Sequence, residues 1–102
     1  MLNTEQKIVL FKLRCEMTEM KGNFPAMHTF KPDGLKCSLC NDPDSVENQS
    51  HPYNCSFYLS HPLVGPDIIK SKYEDIYGSL DEQILSAKLW TNILKIRKQH
   101  LD

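Results

Sequence analysis

The sequence predicts a small, mostly α-helical fold in which a cysteine-rich loop lies between an N-terminal helix and a long C-terminal helix. Three observations carry this expectation. Apolar residues recur at three- and four-residue spacing near both ends of the chain. Three of the four cysteines crowd into one stretch, residues 37–55. The 102 residues, 40% hydrophobic and 25% charged, suit one globular domain with a modest core, of the size that needs a metal, a disulfide or a partner in addition.

The first helix is expected over residues 3–20. Asn3 or Thr4 caps it, and Gln6 stands in capping-box register with Asn3. Leu10, Leu13, Met17 and Met20, flanked by Ile8, Phe11 and Cys15, form a broad apolar face, and Gly22 and Pro25 terminate it. "KPDG" at 31–34 has turn chemistry and delivers the chain into Cys37. A short helix is expected from about Ser50 to Leu59, with Pro52 tolerated in its first turn. "SHPLVGPD" begins a linker over 60–71, and "KYEDIYG" makes a helical turn or two. The last helix is expected over about 80–100. Ser79 and Glu82 make its capping box; Ile84, Leu85, Ala87, Leu89, Ile93, Leu94 and Ile96 make its stripe; Lys95, Arg97, Lys98 and His100 suit the dipole at its end.

Charge is unevenly spread. Residues 1–36 carry six Lys/Arg and four Asp/Glu, residues 37–60 no basic residue and three acids, and residues 61–102 six of each. The net charge of -1 neither favours nor excludes nucleic acid. Ile8-Val9-Leu10-Phe11 is too short for a signal or membrane segment, so the chain is expected to be intracellular, with reduced thiols and no membrane partner.

Reduced thiols at this spacing point to a metal. Cys37-x2-Cys40 offers two corners of a zinc tetrahedron from one turn. His51 and Cys55, four apart, would share a helix face and supply the other two. Three thiolates and a zinc ion leave the site about one unit negative, and no lysine or arginine within the stretch competes for the sulfurs. The plainer reading is buried cysteines beside a surface histidine. His61 is an alternative fourth ligand, with His28 a remote third. Four protein ligands make the site structural, without an open position for substrate. Residues 1–102 then read as a single zinc-binding domain, with the metal loop over 35–59.

The segments "LRCEMTEMKGNF", "LKCSLCNDPDSVENQSHPYNCSF" and "YEDIYGSLDEQILSAKLWTNILKIRKQHL" together resemble the C-terminal region of reverse transcriptases encoded by non-LTR retrotransposons. The resemblance covers nearly all of the chain and rests on Cys37, Cys40, His51 and Cys55, with Glu47 four before the histidine. It implies a CCHC zinc knuckle downstream of a polymerase thumb that helps to hold template RNA or target DNA. The chain departs from that pattern where Pro52-Tyr53 replaces an apolar pair, and it carries no palm strands or paired-aspartate turn. The resemblance therefore implies a remnant or stand-alone copy of the tail and no catalysis.

The expected function is a non-catalytic zinc module that contacts RNA or DNA, with Lys95, Arg97 and Lys98 meeting phosphates and Lys12 and Arg14 as further contributors. The alternative is a zinc-stabilised helical module that binds another protein, such as a reverse-transcriptase polymerase region. Cys15 is expected to be buried, Trp90 to anchor the core, and Tyr53, Phe57 and Tyr58 to pack the knuckle on the helices.

Overall fold

The computed structural model describes residues 2–18, 20, 35–40, 42 and 44–101. Helix α1 runs Thr4–Arg14, α2 Ser56–Leu59, α3 Gly65–Ile69 and α4 Leu80–Leu101; 3-10 turns occupy His51–Tyr53 and Tyr73–Tyr77. Among the described residues there is no strand, and no helix is long and apolar enough to cross a membrane. The predicted class holds: a small helical protein with its Cys/His loop between an N-terminal helix and a long C-terminal one.

Helix α1 begins as its sequence predicts. Gln6 N–H donates to Asn3 Oδ1 at 2.8 Å, and Asn3 N–H to Gln6 Oε1 at 3.0 Å. It ends six residues before the expected position 20. Cys15 caps it and Glu16 turns left-handed, with φ 53°. Met17 N–H then donates to Lys12 O (2.8 Å) and Glu16 N–H to Leu13 O (3.2 Å), the paired bonds of a Schellman ending. Glycine usually fills the left-handed position, so a glutamate there leaves no stop signal in the sequence. The expected stops at Gly22 and Pro25, and the turn at 31–34, lie outside the described residues. Glu16→Gly is expected to raise stability by about 0.5–1 kcal/mol, because it removes the left-handed penalty of an L side chain; urea unfolding of the two proteins measures it.

The early ending narrows the apolar face. Leu10, Leu13 and Met20 are buried, but Ile8, Phe11 and Met17 are exposed, and so is Cys15, against expectation. Helix α1 packs along α4. Arg14 ties α1 to the second 3-10 turn, donating from Nε (3.2 Å) and Nη2 (2.7 Å) to Ile76 O.

Helix α4 has its predicted capping box: Ser79 N–H donates to Glu82 Oε1 at 2.9 Å and Glu82 N–H to Ser79 Oγ at 3.3 Å. A Cβ on Gly78 would lie 2.6 Å from that same Glu82 oxygen, so glycine is what lets the box close. Its inner face supplies Ala87, Leu89, Trp90, Ile93 and Ile96 to the core, whereas Leu85 stays exposed. Trp90 is fully buried, and its indole N–H donates to Tyr53 OH at 3.1 Å.

The expected linker at 60–71 is structured within. Gly65 N–H donates to His61 O (2.8 Å), and α3 packs on α2 with Val64 and Ile68 in the core. A Cβ on Gly65 would collide with the Leu59 carbonyl, so this close approach requires glycine.

Candidate metal centre

The Cys/His loop is built from its own backbone. Cys37 N–H donates to Ser45 Oγ (3.1 Å), and the Ser45 hydroxyl donates to Asp42 O (2.7 Å). Glu47 N–H donates to Leu35 O at 2.7 Å, so the two ends of the loop close on each other. Asn48 Oδ1 then accepts from His51 N–H at 2.9 Å and starts the first 3-10 turn, in which Pro52 is buried.

That turn replaces the single helix expected over 50–59. Helical geometry breaks at Asn54 (φ -124°, ψ 0°), and Cys55 is extended (φ -80°, ψ 120°) as the cap of α2. His51 and Cys55 therefore do not share a helix face. A 3-10 turn and a sharp bend bring them together instead. The break comes at Asn54 rather than at Pro52, whose place in the first turn costs no ladder bond.

The donor atoms of Cys37, Cys40, His51 and Cys55 all lie within 4.8 Å of one another. Cys40 Sγ and His51 Nε2 stand 3.5 Å apart. A zinc-sized ion with bonds of about 2.3 Å to sulfur needs donor–donor edges of about 3.8 Å, so the four atoms enclose a metal with little adjustment. Cys37 and Cys55 are buried and Cys40 and His51 are half-buried. All four cysteines of the chain are free thiols.

The surroundings favour an ionised Cys37 sulfur. A hydrogen bond from Cys55 pulls the Cys37 thiol down to about 5 against the opposing effect of burial; Cys40 and Leu39 N–H groups and the nearby His51 ring act in the same direction. Cys55 moves the other way, raised by its hydrogen bond with Cys37 and by burial, while the Tyr58 and Phe57 N–H groups oppose the rise. The hydrogen bond between the two sulfurs thus favours ionised Cys37 and protonated Cys55, and a bound cation would favour both as thiolates.

His61 does not join this group. Its Nδ1 accepts from Leu63 N–H at 3.1 Å and its ring lies against Phe57, 6.1 Å between centroids. His28 lies outside the described residues. Replacing His51 by alanine is therefore expected to weaken metal binding by at least about tenfold, while His61→Ala changes it less than about twofold; competition against a zinc-responsive dye ranks the two. Equal effects would mean that the fourth corner is not His51.

Around the cluster, two polar links escaped sequence reasoning. Arg97 grips Glu47 with both arms, Nε to Oε2 at 3.0 Å and Nη2 to Oε1 at 2.8 Å, and the Glu47 side chain is 1% exposed. Arg97, one of the expected trio of phosphate-facing cations, is thus engaged with Glu47, while Lys95 and Lys98 stand exposed on either side of it. The second link is Gln49, whose Nε2 donates to Leu13 O and Tyr73 OH, both at 2.7 Å, and whose Oε1 accepts from Thr18 at 2.6 Å. It joins the loop to the end of α1. Glu47 was legible only as part of the spacing before His51; its partner lies 50 residues away and no local pattern points to it.

Aromatic packing follows expectation. Tyr58 is buried, and Tyr53 stacks on Tyr73 (6.1 Å) beside Trp90. Phe57 meets His100 edge-on at 5.0 Å. The Tyr58 hydroxyl is buried without a hydrogen-bond partner among the described residues; burial, with the Glu47 charge, pushes its pKa up.

These features define a small helical protein with a Cys3His cluster able to hold a metal ion. Comparisons with protein-family models, with curated proteins and with solved structures find no match to the chain.

Proposed function

We propose that the chain is a non-catalytic, zinc-binding module of the kind found in the tails of non-LTR retroelement reverse transcriptases, and that it contacts nucleic acid. One observation carries the metal part: four soft and borderline donors, two buried and two half-buried, converge within 4.8 Å. Zinc suits a mixed S3N set because it imposes no d-electron geometry. Four protein donors fill its coordination sphere, which supports a structural rather than a catalytic role. The retroelement relationship rests on the sequence resemblance alone. Nucleic-acid contact draws further support from the exposed Lys95 and Lys98 of α4.

Purified protein is expected to carry one zinc per chain by elemental analysis, and to lose helical circular dichroism when a strong chelator removes it. Metal-free protein whose spectrum ignores the chelator would remove the central claim. Binding to RNA or DNA is expected to weaken steeply with salt.

A second reading has its own observation. Ile8 and Phe11 are 51% and 62% exposed on the outer side of α1, an apolar face that suits a protein partner such as a polymerase region. Association driven by that face is expected to be insensitive to salt and to fail with Phe11→Ala.

A further inference from the structure

We infer that the shallow groove between α1 and α4, where Lys12, Lys95 and Lys98 converge, is the seat of a nucleic-acid phosphodiester backbone. The inference rests on the nucleic-acid reading above and gives it a location that differs from the sequence-derived trio. Lys12 comes from α1, and Lys95 and Lys98 come from α4; all three are exposed and line one groove of about 320 Å3. Arg97, between the two α4 lysines, instead points inward to Glu47 and fixes the face of α4 that they occupy. Lys95 and Lys98 are three apart on a helix, so their stems rise side by side at about 5–6 Å and meet neighbouring anionic groups rather than a single one.

The rest of the lining says what the groove does not read. The Thr91 hydroxyl donates to Ala87 O (2.8 Å) and that of Thr18 to Gln49 (2.6 Å), so both are engaged within the fold. Leu94 and Met17 are apolar, and among the described residues no Arg, Asn or Gln lines the groove to grip a base edge with two hydrogen bonds. Among the described residues no aromatic ring lines the groove, so these residues offer no stacking platform. Lysines alone bind phosphates as point charges, without sequence information. Glu5 lines the same groove and reduces its charge from three positive to a net two. None of the four metal-cluster residues lines it.

The test is fluorescence anisotropy with zinc-loaded protein, labelled oligouridine RNA and labelled duplex DNA of random sequence, across a series of potassium chloride concentrations. Three phosphate contacts give a slope of log affinity on log salt of about -2.1 to -2.7, or roughly a 20- to 40-fold loss between 50 and 200 mM. The triple variant Lys12→Gln/Lys95→Gln/Lys98→Gln is expected to flatten that slope and to lose at least about tenfold at low salt on both probes, with zinc content and circular dichroism unchanged. Glu5→Gln is expected to tighten binding, and Lys70→Gln/Lys72→Gln/Lys88→Gln, an equal change of charge elsewhere, to stay within about threefold of wild type. Salt-dependent binding that survives the groove variant would overturn the groove and leave the nucleic-acid reading standing. No binding by the wild type to either probe would overturn both. Tighter binding of wild type to anionic phosphatidylserine vesicles or to polyglutamate than to either nucleic acid would also overturn the proposal, by giving the groove a different occupant.

Discussion

Cys55→Ser is expected to abolish zinc binding and to unfold the segment from about residue 35 to 59. The residue is 1% exposed and stands at the junction of the first 3-10 turn and α2, so a metal bound there would hold two elements together. A structural zinc site of this type contributes on the order of 10 kcal/mol of apparent binding free energy, which is also folding free energy. A domain of this size has a net stability of roughly 5–15 kcal/mol, so a loss of that scale leaves little native population. Serine is a poor zinc ligand at neutral pH, because a hydroxyl does not ionise there as a thiol does. The expected readouts are zinc content near zero, reduced helical signal and loss of a cooperative melt. Wild type after chelation should resemble the variant. Cys15→Ser is the control: Cys15 is exposed and outside the cluster, so its loss should change neither zinc content nor melting. A Cys55→Ser protein that melts like wild type would show that the fold does not depend on the metal.

The second large effect is expected at Arg97. Arg97→Met removes both hydrogen bonds to a buried carboxylate, at 2.8 and 3.0 Å, while leaving Glu47 in place. Removing one partner of a buried ion pair costs about 3–5 kcal/mol, far more than an exposed pair is worth. The double variant Glu47→Gln/Arg97→Met is expected to recover part of that loss, because the desolvated charge goes with its partner. Urea unfolding of zinc-loaded wild type, both single variants and the double variant gives the coupling directly. If Arg97→Met costs less than about 1 kcal/mol, the pair is a surface contact in effect, and the α4 lysines owe nothing to it.

Much of the architecture was legible because it is written in local chemistry. Both capping boxes are sequence-adjacent: Asn3 with Gln6, and Ser79 with Glu82. The long apolar stripe of α4 needs no knowledge of the rest of the chain, and four of its predicted members, Ala87, Leu89, Ile93 and Ile96, are buried. The cluster of Cys37, Cys40, His51 and Cys55 was legible for the same reason, since metal-ligand spacing is a short-range constraint.

What the sequence by itself determined, then, is the helical class, the cap positions and the identity of the four clustered donors. Tertiary structure decided the rest. It ended α1 at Arg14 through a left-handed glutamate that no propensity anticipates, and so turned Cys15 and Met17 outward. It brought His51 to Cys55 by a 3-10 turn and a bend rather than along one helix face. It paired Arg97 of the basic trio with Glu47 and set Lys12 beside Lys95 and Lys98. The first two cases are local bends whose residues, Glu16 and Asn54, carry no distinctive signal; the third has its reason in separation along the chain. Caps and ligand spacings involve neighbours along the chain, whereas burial and charge pairing depend on residues tens of positions apart that meet only after the helices pack.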